Sequence, residues 1–194
     1  MIDTVTEVLQ TFAGLNPESD HGKETAQRFV QMLDELTKCK SNGNYEQNKQ
    51  HIQNCIKWKL FNADKQDMIV IEKIPFVSLC NHHLVPFMGH AHIGYVPQEK
   101  IAGLSKFARV VKHFARQLQV QEGLTNEIAD FLEEKLEQPK GVAVVIRAEH
   151  MCMTIRGVHA LGTVTTTSAM RGVFADHART AKSEYMQIIS GSLR

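Results

Sequence analysis

Two short stretches concentrate side chains able to bind a metal or move a proton: Cys80-Asn-His-His83 and His150-Met-Cys152. Thiolate and imidazole are the ligands zinc prefers, and a catalytic zinc keeps three of them with a fourth position open to water. A Cys-x-x-His spacing puts two such ligands on one tight turn. A His-x-Cys spacing read as strand puts both side chains on one face, because strand side chains repeat every two residues. Spacing alone leaves three readings open: a catalytic metal, a closed structural site made by Cys80, His83, His150 and Cys152, or core residues without metal. The surplus of histidines favours catalysis. Once Cys80, His83 and Cys152 are assigned to the metal, His82 and His150 remain as acid/base groups.

Two further groups have a chemistry in view. Gly103-Leu-Ser-Lys106 opens a strongly striped helix, with Ser105, Lys106 and Arg109 opposite or flanking the apolar face near its start. Unsatisfied N–H groups, a hydroxyl and two cations make a phosphate cradle, against the plainer reading of a solvated polar face. Gln121-Glu122 falls at the join between this helix and the next. A fixed carboxylate there can accept from the N1–H and the exocyclic amine of guanine, a pairing adenine does not offer. A loop glutamate is more often an ordinary surface residue.

The elements that must position these groups follow from hydrophobic period. Residues 2–15 predict a helix through Val5, Val8, Leu9 and Phe12, and Asn16-Pro-Glu-Ser-Asp20 breaks it. A second helix buries Ala26, Phe29, Val30, Leu33 and Leu36 on one stripe. Residues 39–54 are polar, contain Asn42-Gly43-Asn44 and read as a loop. Strands are predicted at 68–74 and 90–96, and helices at 104–119 and 125–137. Two strand-like runs, 141–148 and 151–156, join around Glu149-His150; 161–168 is extended, and a helix near 179–189 closes the chain. That order predicts an α+β protein with an antiparallel sheet, divided into an N-terminal helical segment over 1–60 and a domain over 61–194 that carries these groups.

The composition sets limits. Twenty-two basic against 21 acidic residues leave a net charge of +1 over 194 residues, so no global field points to nucleic acid or an anionic membrane. No stretch reaches the roughly 18 apolar residues of a membrane span. The first residues are acidic where a signal peptide would be basic, and a cytoplasmic location is expected. The thiols are then expected to be unbridged; Cys39 and Cys55, in polar surroundings, read as incidental.

Taken together the motifs resemble GTP cyclohydrolase I. The matching text is Cys80-Asn-His-His-Leu-Val-Pro-Phe-Met-Gly89, Gly103-Leu-Ser-Lys-Phe-Ala-Arg109, Gln119-Val-Gln-Glu122, Gly141-Val-Ala-Val-Val145, His150-Met-Cys-Met-Thr-Ile-Arg-Gly157 and Thr165-Thr-Thr-Ser168. The resemblance runs from about 67 to 189 and is weaker in the first 60 residues, where Thr25-Ala-Gln-Arg28 looks like a Thr-Pro-x-Arg segment without its proline. It implies a tunnelling fold, an antiparallel sheet with helices on one face whose copies close into a barrel, assembled as a homodecamer with sites between subunits. It implies conversion of GTP and water to formate and 7,8-dihydroneopterin triphosphate, feeding pterin, folate or deazaguanine synthesis. The Zn2+ ligands carry over to Cys80, His83 and Cys152, and the catalytic groups to His82, His150 and Ser105. Triphosphate binding falls to Ser105, Lys106, Arg109 and Arg156, with Arg28 from a neighbouring subunit; guanine falls to Glu122 with Gln121 beside it. The chain departs from the family pattern at Asn81, Gly123, Gln31, Arg147 and Arg171. Competing readings are a same-fold enzyme that opens GTP without closing the pterin ring, a related nitrile reductase, and a zinc-stabilised assembly that binds purine nucleotides without turnover. His83 and Cys152 argue against the reductase.

Overall fold

The structure is a computed structural model that describes residues 1–39, 44–176 and 180–193. The chain divides into two compact units, Met1–Lys38 and Cys39–Arg194. In the first, α1 (Ile2–Ala13) ends on Gly14, whose φ of 66° is the left-handed cap that glycine adopts without strain, and α2 (Thr25–Leu36) packs against it. The apolar period predicts both helices, but also a buried stripe on α2, and there the structure differs. Of that stripe only Ala26 is buried, while Val30, Leu33 and Leu36 are half-buried and Phe29 is exposed. Two short helices cannot by themselves cover each other's apolar faces, and Val8 and Phe12 of α1 are exposed as well.

The second unit is built on a five-stranded sheet of order β5-β2-β3-β6-β7, formed by β2 (Ile69–Cys80), β3 (Pro86–Val96), β5 (Leu118–Gln119), β6 (Gly141–His150) and β7 (Val164–Gly172). All neighbours are antiparallel except the two-residue β5, which runs parallel to β2. A separate ribbon pairs β1 (Leu60–Asn62) with β4 (Lys100–Ala102). The interior strand β6 is covered on both sides, because its side chains alternate between faces. Val142, Val144 and Ile146 join the cluster built with α4 (Ser105–Ala115) and α5 (Gln121–Lys135). Ala143 and Val145 turn to the other face and meet Phe174 and the Tyr185 and Ile189 of α7 (Ala181–Ile189). Helices on one face only were the expectation; α7 takes part of the opposite face. Gly94 makes room for it, since a Cβ there would stand 2.6 Å from the Tyr185 ring.

Further differences lie where local pattern and tertiary packing compete. Part of the predicted polar loop is a helix, α3 (Tyr45–Cys55), started by the Asn44 side chain accepting from the Gln47 N–H at 3.1 Å; residues 40–43 of that loop lie outside the described residues. The helix predicted to reach 119 stops at Ala115, and Leu118 joins β5. The next helix starts at Gln121, four residues earlier than its apolar pattern indicates, so Gln121 and Glu122 occupy its first turn and are not loop residues. The strand predicted over 151–156 is instead one helical turn, α6 (Met151–Thr154), with the Thr154 hydroxyl donating back to the His150 carbonyl at 2.9 Å. Position 179 of the last predicted helix also lies outside the described residues.

Candidate active site

β2 delivers Cys80 to a turn that leads straight into β3. The Leu84 N–H donates to the Cys80 carbonyl and the Cys80 N–H to the Val85 carbonyl, both at 2.9 Å. This closure folds His82 and His83 back over the sulfur: the Cys80 Sγ lies 3.9 Å from His82 Nδ1 and 3.8 Å from His83 Nδ1. Zinc bonds of about 2.0–2.3 Å in a tetrahedron put ligand atoms roughly 3.3–3.8 Å apart, so the turn is close to a metal-holding geometry. Ligand atoms of Cys80, His82 and His83 all lie within 4.8 Å of one another. The sulfur is buried and the two rings are exposed, leaving one side open to a ligand.

Cys152 comes to this turn from α6. Burial pushes its thiol up, and the adjacent Cys80 pushes it further. His150 and Cys152 therefore do not share a strand face, as the His-x-Cys spacing had suggested: one ends β6 and the other sits on the helical turn beyond it. Cys80 and His83 thus share one turn, and Cys152 reaches Cys80 from a short helix, although the group of ligand atoms within 4.8 Å of one another is Cys80, His82 and His83.

His150 is held on two sides. It pairs across the sheet with Phe87 and stacks on that ring, centroids 4.6 Å apart and planes at 3°. Its Nε2 lies 2.7 Å from Gln121 Oε1. The orientation of the Gln121 amide follows from its other partners, since its nitrogen is 3.1 Å from both the Ile146 and the Thr165 carbonyl oxygens, which can only accept. Oε1 must then accept from His150, so the neutral ring carries its proton on Nε2 and presents Nδ1 as a lone pair. Burial lowers the imidazole's proton affinity, and the Glu122 carboxylate acts in the opposite sense. Because Gln121 is only 2% exposed and its amide is committed to the sheet and to His150, it positions the histidine from behind.

The other predicted site residues sit on helix starts and turns. Ser105, Lys106 and Arg109 occupy the first turns of α4, which has no side-chain cap. Glu122 is exposed in the first turn of α5, and Arg156 is exposed after α6. Among the described residues no ion pair engages Lys106, Arg109 or Arg156. Arg28, on α2 of the first unit, pairs with Glu24. Of the departures, Arg171 is explained: it binds Asp130 at 2.7 Å and Asn126 at 3.0 Å, tying β7 to α5. A second group of potential ligands, Cys39, His51 and His113, escaped the sequence reading. Cys39 is buried beside His113 and does not sit in polar surroundings, and none of the four cysteines is in a disulfide. The missed signal was weak, for His113 lies in the buried face of α4 among apolar residues.

Residues 1–190 match the family model described as GTP cyclohydrolase I. The GTP cyclohydrolase 1 of Aquifex aeolicus is 44% identical over 180 residues, 92% of this chain and 89% of its own. That of Pelotomaculum thermopropionicum is 41% identical over 191 residues, 98% and 96% of the two chains. A Nostoc protein, GTP cyclohydrolase 1 2, is 46% identical over 91% of this chain and 77% of its own. The chain belongs to the GTP cyclohydrolase I family. The match spans residues 1–190 and so includes α1 and α2, where the motifs are weakest, as well as most of the second unit. Among solved structures, an apo archaeosine synthase QueF-Like aligns with 56% of this chain at 14% identity and a TM-score of 0.46, too slight a likeness to argue from.

Proposed function

We propose that this chain is a zinc-dependent GTP cyclohydrolase I, converting GTP and water to formate and 7,8-dihydroneopterin triphosphate. The observation that carries the reading is a turn of potential metal ligands beside a clamped histidine: Cys80 and His83 at 3.8 Å, Cys152 against Cys80, and His150 fixed by Gln121 at 2.7 Å. Cys80, His83 and Cys152 would hold the zinc, which when bound lowers the pKa of a water ligand and supplies a nucleophile at neutral pH.

The remaining roles belong to the chain's own side chains. Lys106, Arg109 and Arg156, without ion-pair partners among the described residues, hold the triphosphate, with Ser105 and the open N–H groups of α4 beside them. Arg28 reaches the same phosphates from a neighbouring subunit. Glu122 accepts from the guanine edge. These anchors fix the purine's five-membered ring against the metal turn, which is where positioning lowers the barrier. His150 takes up a proton on Nδ1 and returns it to the ring nitrogen as the purine opens. His82, on the turn itself, and Ser105 move protons during ribose opening and closure onto the freed amine. The tunnelling-fold assembly fits the exposed apolar residues Leu104, Ile155, Val158 and Leu161 around the site, and β7, whose outer edge has no strand partner among the described residues. Among the described residues no helix is long and apolar enough to cross a membrane.

The test is incubation of purified protein with GTP, assaying formate and fluorescent oxidised pterin together. Equal yields of both are expected. Formate without pterin identifies an enzyme that stops before ring closure, and bound nucleotide without formate identifies a binder.

A further inference from the structure

Cys39, Asn48, His51 and His113 come together away from the turn at Cys80, on three separate pieces of chain. Cys39 precedes α3 and is pinned by its N–H donating to the Arg116 carbonyl, just past α4, at 3.0 Å. Asn48 and His51 are three residues apart on α3 and so lie on one helix face. His113 is in the last turn of α4. The Cys39 Sγ stands 3.4 Å from His113 Nδ1, and the His51 and His113 rings stack with centroids 5.2 Å apart. One ligand atom from each of Cys39, His51 and His113 lies within 4.8 Å of the others.

We infer that Cys39, His51 and His113 form a second metal site, for a thiophilic divalent transition ion such as zinc. Three features support it. The 3.4 Å separation of Sγ and Nδ1 is an edge of the tetrahedron that one sulfur and one imidazole make around zinc, about 3.3–3.8 Å. His113 Nε2 faces the Asn48 side-chain oxygen at 2.9 Å; with that oxygen accepting, Nε2 carries the proton and Nδ1 turns its lone pair toward the sulfur. Metal-bound histidines are oriented in this way by an acceptor on their far nitrogen. The third feature is His51. A hydrogen-bonded core histidine would account for His113, Asn48 and Cys39, but it gives no reason for a second imidazole stacked over the first. His51 is exposed while Cys39 and His113 are buried, so the site is walled by protein on one side and open to ions on the other. A soft thiolate with two imidazoles selects zinc or its neighbours over magnesium or calcium, which require oxygen ligands. Binding releases the Cys39 thiol proton and ties the segment before α3 to the ends of α3 and α4.

The test is metal stoichiometry on the full chain. Parent protein and the variants Cys39→Ala, His51→Ala and Cys80→Ala are loaded with excess zinc, desalted and analysed for zinc per chain. Two equivalents are expected in the parent and about one in each variant, with formate release from GTP retained in Cys39→Ala and His51→Ala. Loading with cobalt should give a thiolate charge-transfer band in Cys80→Ala that disappears when Cys39→Ala is added. His51 is exposed, so its variant reads the site without disturbing the core. If Cys39→Ala and His51→Ala hold as much zinc as the parent, the second site is overturned. A parent with one equivalent that only Cys80→Ala removes overturns it too, while leaving the centre at Cys80 standing. Loss in Cys39→Ala and His51→Ala with no loss in Cys80→Ala supports this site and instead removes the centre at Cys80.

Discussion

His150 separates a catalytic metal from a structural one. As a fourth ligand it would leave the metal loose when removed; as an acid/base group clamped by Gln121 it should not. His150→Ala is therefore expected to keep its zinc and its assembly while losing about 100-fold or more in formate release, the usual scale for a positioned acid/base. Zinc loss in this variant, with retention in His82→Ala, would sink the three-ligand assignment. Glu122 answers a different question. Glu122→Gln keeps the shape but presents a donor to guanine's donors, and GTP turnover should fall by about 2–3 kcal/mol of transition-state stabilisation in kcat/KM. An unchanged kcat/KM would mean the purine is read elsewhere. Of the site residues, Cys80 and His83 were legible because the spacing dictates the turn. The role of Gln121 was not, because its side-chain partners come from β6 and β7, more than 20 residues away in sequence.

Among the elements, α3 is the one local pattern hid. Its buried residues are Asn48 and Ile52, a face too small to announce itself, and its sequence is largely polar. What starts it is the Asn44 cap, worth about 1 kcal/mol when replaced by alanine. Asn44→Ala should lower the melting temperature by a few degrees and, because α3 carries Asn48 and His51, weaken zinc retention in Cys80→Ala protein. A melting temperature equal to the parent's would show that Tyr45 and Ile52, packed on the core, hold α3 without its cap. The reverse error, strand for helix at Met151–Thr154, has a similar origin. The residues are apolar and β-compatible, but β6 runs out of partner at Phe87↔His150, and the chain turns where the ladder ends.

At the scale of the molecule, two properties follow from burial. His92 is 0% exposed and neither ring nitrogen has a hydrogen-bond partner among the described residues. Burial lowers its proton affinity, against the Glu72 charge and with His90, Lys73 and Arg147. The unfolded chain then binds the proton more readily than the folded one. The stability His92 contributes is complete above its ordinary pKa of about 6.5 and is lost as pH falls from there through its lowered folded value. His92→Phe should flatten the fall in denaturant midpoint between pH 7 and 5; an unchanged slope would place the acid sensitivity in other groups. The second property is exposed apolar surface: Phe12, Leu104, Val158 and Leu161 are 84%, 62%, 75% and 80% exposed, and the proposed assembly would cover such side chains. Light scattering is expected to give a homodecamer, and a fully active monomer would contradict the contribution of Arg28 from a neighbour.

By itself the sequence determined the α+β class, the presence but not the ends of the long strands and of α4, and the Cys80-to-His83 turn, since each depends on residues within a dozen positions of one another and on periods of 2 or 3.6. The ordered motifs were sufficient to identify the family. Tertiary structure decided what depends on distant partners: α7 on the second face of the sheet, the start of α5 at Gln121, the tautomer of His150, and the meeting of Cys39 with His51 and His113. None of these leaves a local period. Each is a contact made only when strands and helices distant in sequence stack, and the free energy that selects it is burial and hydrogen bonding across that distance.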